Sequence, residues 1–217
     1  IPQAGSDKEN NVFVPERGNS LEAGLKRDWA DGRWSSTLAI YQITKENILV
    51  SDPSDPLYQL QLGEVQSEGI EFDVQGEIVE GLKLILNYAN TKAEVAEDTE
   101  ESRVGTLIAG HAKHMTNGWI SYHFGGNSLL KGFGLAVGYQ YQVDRSSWAW
   151  GADNSSVMPD YFRLDGSLSW YKNNLRIGLN INNLLNEYLY SGSSYDSFYY
   201  WQTEPGTNFR LHVAFKF

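Results

Sequence analysis

Four histidines, His111, His114, His123 and His212, are the side chains here best suited to moving a proton or holding a metal near neutral pH. His111 and His114 stand three apart in a loop-like stretch. Without a helix or a second donor pair, that spacing does not specify a zinc-type site. His212 alternates inward near the C-terminus, with Ser167 and Ser169 two predicted strands away. A hydrolase needs such a serine beside its histidine, but no Gly-x-Ser-x-Gly elbow marks either one. The chain has no cysteine, which excludes a thiolate metal site, a cysteine nucleophile and a disulfide scaffold. The expectation is no catalytic residue, no metal site and no resident cofactor.

Two other groups suit binding. The stretch from Ser146 to Asp160 holds Trp148 and Trp150, and the stretch from Asn186 to Thr207 holds Tyr188, Tyr190, Tyr195, Phe198, Tyr199, Tyr200 and Trp201. Aromatic rings give broad, rigid contact area, and phenol and indole groups add hydrogen bonds. Trp148, Trp150, Tyr195, Phe198, Tyr199, Tyr200 and Trp201 are therefore candidate ligand contacts. The plainer role is an interfacial aromatic girdle or loop packing, and Tyr188 and Tyr190, beside a strand end, are assigned to the girdle. The second group is charged: Glu71, Asp73, Glu77, Arg163, Asp165, Arg176 and Arg210 alternate with apolar neighbours on predicted strands. They predict one polar, solvated wall, with Arg163 and Asp165 as an ion pair because they lie two apart on one face.

The elements that position these residues follow from period-two patterning. Phe209, Leu211, Val213, Phe215 and Phe217 alternate with Arg210, His212, Ala214 and Lys216. About nine such strands are expected. The first runs from Leu21 to Trp29 and the second from Trp34 to Val50, where Leu38 and Ile40 compete with Ala39, Tyr41 and Ile43 for the apolar face. Ile70 to Ile78 and Leu82 to Tyr88 form the next pair, then Met115 to Phe124, Phe133 to Val143, Phe162 to Trp170, Leu175 to Ile181 and the terminal strand. Short turns fall at Asp31-Gly32, Glu80-Gly81, Gly125 to Ser128 and Lys172 to Asn174. Long connections fall at Ser51 to Pro56, Ala96 to Gly110, Ser146 to Asp160 and Asn186 to Thr207. Short turns at one end and long loops at the other match an all-β transmembrane antiparallel β-barrel. A soluble β-sandwich is the rival, because its strands alternate equally well.

Composition agrees. The 217 residues are 41% hydrophobic, yet no apolar run approaches the ~18 residues of a membrane helix; a barrel hides its apolar residues in alternation. Aromatics make up 13%, enough for interfacial girdles. A net charge of −10 argues against nucleic acid, whose phosphates require Lys and Arg. Ile1 to Gly5 carries no signal-peptide pattern, so an exported protein would be met here as a mature form or a fragment.

Several segments, taken in order, resemble the TonB-dependent outer-membrane receptors, notably those for ferric siderophores. They are Pro15-Glu16-Arg17-Gly18 with Leu21 to Lys26, Val65 to Glu71, the looser His111 to His114, Met158 to Asp165, Asn182 to Tyr188, and Glu204-Pro205-Gly206 leading to Phe209-Arg210 and Phe217. The resemblance implies that residues 1–217 are the C-terminal segment of one 22-stranded barrel domain whose N-terminal plug lies outside this chain. It implies energised import of a ferric siderophore, with iron only as part of the ligand. The implied partners are the TonB complex, reached through the plug region, and outer-membrane lipid and lipopolysaccharide, in a monomeric receptor of a Gram-negative outer membrane. The charged wall would line the lumen, and Phe217 would be the aromatic assembly signal. The alternatives are a small passive porin, an outer-membrane barrel enzyme, or the soluble sandwich as a binding module.

Overall fold

The computed structural model describes residues 7–52, 54–55, 57–108, 110–146, 157–195 and 198–217. Its strands are β1 (Arg17–Trp29), β2 (Trp34–Ser51), β3 (Gln59–Val79), β4 (Leu82–Glu97), β5 (Ala112–His123), β6 (Phe133–Ser146), β7 (Val157–Met158), β8 (Tyr161–Lys172), β9 (Leu175–Asn182), β10 (Tyr190–Tyr195), β11 (Phe198–Thr203) and β12 (Asn208–Phe215). Nine of them make one antiparallel meander in the order β1-β2-β3-β4-β5-β6-β8-β9-β12. The short β7 pairs with the end of β6, and β10 and β11 form a separate hairpin. The path closes on neither side, since β1 and β12 are each paired along one edge only among the described residues.

Cross-strand register decides which side chains share a face. Leu25 pairs with Leu38, Leu38 with Phe72, Phe72 with Tyr88, and Leu86 with Gly118. Farther on, Ile120 pairs with Val137, Leu135 with Leu168, Leu168 with Leu179, and Leu179 with Leu211. One apolar face therefore runs unbroken across nine strands. No second sheet covers it among the described residues: Leu21, Leu25, Phe209 and Leu211 are 65–76% exposed. A sandwich would bury this face against a partner sheet. No helix among the described residues is long and apolar enough to cross a membrane.

The apolar band has limits. On β6 it extends from Phe133 to Tyr141, eight steps or about 26 Å along the strand at ~3.3 Å per residue. With the ~40° tilt of barrel strands this is about 20 Å of height, of the order of the ~25 Å apolar belt of an outer-membrane barrel. Aromatics flank it. Trp29 pairs with Trp34 at the short-turn end, where Phe133 and Trp170 lie 6.2 Å apart and Tyr122 and Phe124 4.8 Å apart. At the long-loop end Tyr141 and Phe162 meet at 6.0 Å. Strands β2 and β3 hold 18 and 21 residues, well beyond the roughly 9–11 that span a bilayer. Their extra length lies on the long-loop side, where Thr44, Gln66, Glu68, Asn90, Lys92 and Glu94 replace apolar residues in the same rows.

Two glycines let rings lie flat on this wall. On the apolar face Gly118 opposes Tyr139, and on the polar face Gly138 opposes Trp119. A Cβ added at Gly138 would sit 1.6 Å from Trp119 Cε3, so the indole occupies the space of the missing side chain. Gly138→Ala should therefore force the indole off the wall and cost about 1–2 kcal/mol through overpacking. Urea unfolding measures this, and an unchanged midpoint would contradict the arrangement.

Two expectations change. The ambiguity in β2 resolves: Leu38 and Ile40 join the apolar face, and Ala39, Tyr41 and Ile43 the polar one, because Leu38 is held opposite Phe72. Within the segment from Asn186 to Thr207, which alternation leaves as a connection, the chain forms the β10–β11 hairpin. Its Tyr, Phe and Trp residues have high strand propensity without a clean period of two, so propensity and pattern disagree there.

Candidate functional site

The seven charged candidates all fall on the polar face. Glu71 pairs with Ala39, Asp73 with Thr37, Glu77 with Lys83, Arg163 with Gln140, Asp165 with Gly138, Arg176 with Ala214, and Arg210 with Asn180. Their neighbours are amides, hydroxyls and small residues: Asn117 Nδ2 donates to Asn87 Oδ1 at 2.9 Å, and Ser167 Oγ to Asn180 Oδ1 at 2.9 Å. The face is thus a hydrogen-bonded polar wall. Glu77 has a local task besides, because its Oε1 accepts the Gly81 N–H at 2.8 Å and caps the tight β3–β4 turn.

Arg163 and Asp165 form the expected ion pair, with Nε 3.1 Å from Oδ2. They belong to a larger cluster at the long-loop end. Arg163 Nη1 donates to the Tyr161 hydroxyl at 3.0 Å, and that hydroxyl donates to Glu204 Oε2 at 2.9 Å. Asp165 Oδ1 accepts the backbone N–H of Asn183 at 2.9 Å. Truncating Arg163 and Asp165 singly and together to Ala should reveal a coupling of about 0.5–1 kcal/mol, the scale of a part-solvated pair. A double-mutant cycle on unfolding reads it directly.

Asn183 is the hub of this cluster and is only 1% exposed. Its Nδ2 donates to the Glu187 carbonyl at 2.9 Å and faces the Pro205 carbonyl at 3.4 Å, while its Oδ1 accepts the Glu187 N–H at 3.0 Å. Thr207 Oγ1 donates to the Asn183 carbonyl at 2.7 Å. Its φ of 52° is left-handed, a conformation that asparagine tolerates better than most residues. Arg145 adds a second anchor: Nη1 donates to the Pro159 carbonyl at 3.1 Å, Nη2 to the Tyr190 carbonyl at 2.7 Å, and the guanidinium lies 5.2 Å from the centre of the Tyr161 ring. Tyr161, Met158 and Leu189 are buried around these groups. The segments Met158 to Asp165, Asn182 to Tyr188 and Glu204 to Gly206 thus converge, although up to 48 residues separate their ends.

Trp201 is backbone-paired with Gly192 in the hairpin, and its ring lies 5.8 Å from that of Tyr190. Tyr190 therefore belongs to the hairpin rather than to the girdle, while Tyr188 is exposed. Tyr195 pairs with Phe198 at the hairpin tip, with Tyr199 and Tyr200 next in register on β11. Trp148 and Trp150 lie outside the described residues. Phe217 packs edge-on to Phe215 at 5.6 Å. His111 and His114 do not converge on one point: His111 Nδ1 lies 2.6 Å from the Ile108 carbonyl, whereas His114 Nδ1 meets the Tyr88 hydroxyl at 2.8 Å and Asn90 at 3.0 Å. Sequence reasoning assigned no role to Arg145, Tyr161, Asn183 or Glu204. Three of them sat inside the recognised segments, but nothing local says that those segments touch.

Comparison with known proteins is consistent with this architecture. The family model "TonB dependent receptor-like, beta-barrel" matches residues 2–184. The metal-pseudopaline receptor CntO of Pseudomonas aeruginosa is 34% identical over 206 residues, covering 94% of this chain and 28% of that protein. The ferrichrome outer membrane transporter/phage receptor of Escherichia coli K12 is 30% identical over 140 residues, covering 64% of this chain and 18% of its own length. The chain thus spans less than a third of these curated relatives. Among solved structures, the ferric-catecholate import receptor Fiu of E. coli K12 superposes with a TM-score of 0.71 at 25% identity, covering 99% of this chain and 30% of that one. The ferripyoverdine receptor of P. aeruginosa superposes with a TM-score of 0.77 at 19% identity, covering 99% and 29%, a likeness of fold.

Proposed function

Since this chain belongs to the TonB-dependent receptor-like β-barrel family, we propose that it supplies part of the wall of an outer-membrane receptor that imports a ferric siderophore with energy passed through TonB. The observation that carries this is the two-faced sheet: an apolar band of bilayer height on one side, a hydrogen-bonded polar wall on the other, and long loops gathered at one end. The relatives are described as receptors for metal-pseudopaline and ferrichrome, which favours a chelated metal as cargo. Iron then arrives already wrapped, so the wall needs polar groups rather than metal ligands.

The open edges support the view that residues 1–217 are one segment of a larger barrel. Unpaired N–H and C=O groups on β1 and β12 would each cost several kcal/mol in lipid. Further strands must meet both edges, and the 22-stranded barrels that hold a plug offer that closure. In that setting Glu71, Asp73, Glu77, Arg163, Asp165, Arg176 and Arg210 line the lumen. The plug and its TonB contact come from outside these residues, and the receptor acts as a monomer in a Gram-negative outer membrane. Trp148, Trp150, Tyr195, Phe198, Tyr199, Tyr200 and Trp201 are the proposed aromatic ligand contacts.

The test is binding of a panel of ferric catecholates, hydroxamates and mixed chelates to the full receptor in detergent, followed by uptake of radiolabelled iron with and without TonB. Trp201→Ala should weaken binding of the matched chelate about tenfold, as expected for an exposed aromatic that the ligand covers. Ion conductance through planar bilayers separates the alternative: a passive porin conducts freely, whereas a plugged receptor is nearly silent. Binding to no chelate on the panel, together with free conductance, would overturn the proposal.

A further inference from the structure

The β10–β11 hairpin pairs with no other strand among the described residues. A lone two-stranded hairpin is marginal in water, so its pose depends on what its base is tied to. Both strands are tied to the wall. On the β10 side Arg145 donates to the Tyr190 carbonyl at 2.7 Å, and Met158 Sδ lies 3.1 Å from where a Gly192 Cβ would stand. On the β11 side the carboxylate of Glu204, the residue that follows the strand, accepts the Tyr161 hydroxyl at 2.9 Å and lies 3.6 Å from Arg163 Nη1. Between the two roots the Glu204 N–H donates to the Leu189 carbonyl at 2.9 Å, with Leu189 buried.

A loop that closes over its ligand needs at least one slack root. Here each root is gripped by a cationic guanidinium or a charge-assisted hydrogen bond, among the stronger contacts a protein makes. Arg145 is itself only 8% exposed, so releasing it would strand a buried cation. We propose that the hairpin is a fixed arm rather than a moving lid, and that Arg145, Tyr161 and Glu204 are positioning residues of ligand capture. They hold the packed Tyr190–Trp201 pair in the pose that receives the chelate. Holding the arm in advance removes an ordering cost from binding. This rests on the receptor function proposed above.

The test uses the full receptor in lipid vesicles with a nitroxide attached at Gln202→Cys, an exposed position in β11 in a chain region without native cysteine. Electron spin resonance is first recorded with no chelate present. The expected spectrum is of restricted motion, which Tyr161→Phe and the double variant Tyr161→Phe/Glu204→Gln loosen progressively while heat-modifiable gel mobility stays normal. Arg145→Lys, which keeps the charge and loses the forked grip, serves if the double variant fails to assemble. A label as mobile in the parent as in a variant would overturn the fixed arm. The same variants are then titrated with the ferric chelate that the parent binds. A roughly tenfold loss of affinity supports a positioning role. Loosened motion with unchanged affinity would reduce the contacts to local structure and overturn it. The spin measurement needs no ligand, so failure of the receptor assignment leaves its outcome readable.

Discussion

Val137→Arg should destabilise the barrel by about 2–4 kcal/mol, whereas Ala136→Arg, one residue away, should cost far less. Val137 lies midway along the apolar row of β6, between Phe133 and Tyr141, and faces Ile120 on one neighbour and Gly166 on the other. A guanidinium there meets hydrocarbon, and its stem cannot reach either interface without deforming the bilayer. Ala136 faces Ser121 and Ser167 on the polar wall, where a cation meets water and hydroxyls. The penalty depends on depth, so an arginine at Tyr141, at the rim of the band, should cost only about 0–1 kcal/mol. Unfolding of the full receptor in vesicles across a urea series measures all three. Equal costs at 136 and 137 would mean that the apolar face does not see lipid.

Asn183→Ala should cost about 3 kcal/mol and loosen the root of the β10–β11 hairpin. The side chain serves the Glu187 N–H and carbonyl and the Pro205 carbonyl, all part-buried. Alanine leaves the first two without their partner, and each is worth about 1 kcal/mol, the low end for groups that water partly reaches. Alanine also takes a left-handed φ poorly. Asn183→Gly relieves that backbone strain while losing the same hydrogen bonds, so the difference between the two variants isolates the backbone part. Asn183→Asp keeps the acceptor for the Glu187 N–H but loses both Nδ2 contacts and places a charge beside Asp165. The expected order of stability is parent first, then Gly, then Ala. Limited proteolysis between Leu189 and Thr203 should report the loosened hairpin. Protection unchanged in Asn183→Ala would show that the hub does not hold it.

Alternation along a strand is a local property, and it was legible wherever one face is clean. Phe209 to Phe217, Ile70 to Ile78 and Phe133 to Tyr141 declare their apolar sides without any neighbour. Asp31-Gly32, Glu80-Gly81 and Asn173-Asn174 likewise mark their turns, because left-handed φ at Asp31, Gly32, Gly81 and Asn173 selects such residues. From these alone came the nine-strand meander, its trimmed and decorated ends, and the polar face carrying Glu71, Asp73, Arg163, Asp165, Arg176 and Arg210. The rest depends on groups far apart in the chain. β2 is apolar on both sides, and only its register against Phe72 and Ile70 turned Leu38 and Ile40 outward. The hairpin, the Tyr161–Glu204 hydrogen bond across 43 residues and the Arg145–Tyr190 contact across 45 leave no periodic trace in the sequence. Hydrophobic pattern reports which face a residue takes. Which distant polar groups meet is decided only when the sheet is assembled and their hydrogen bonds must be satisfied.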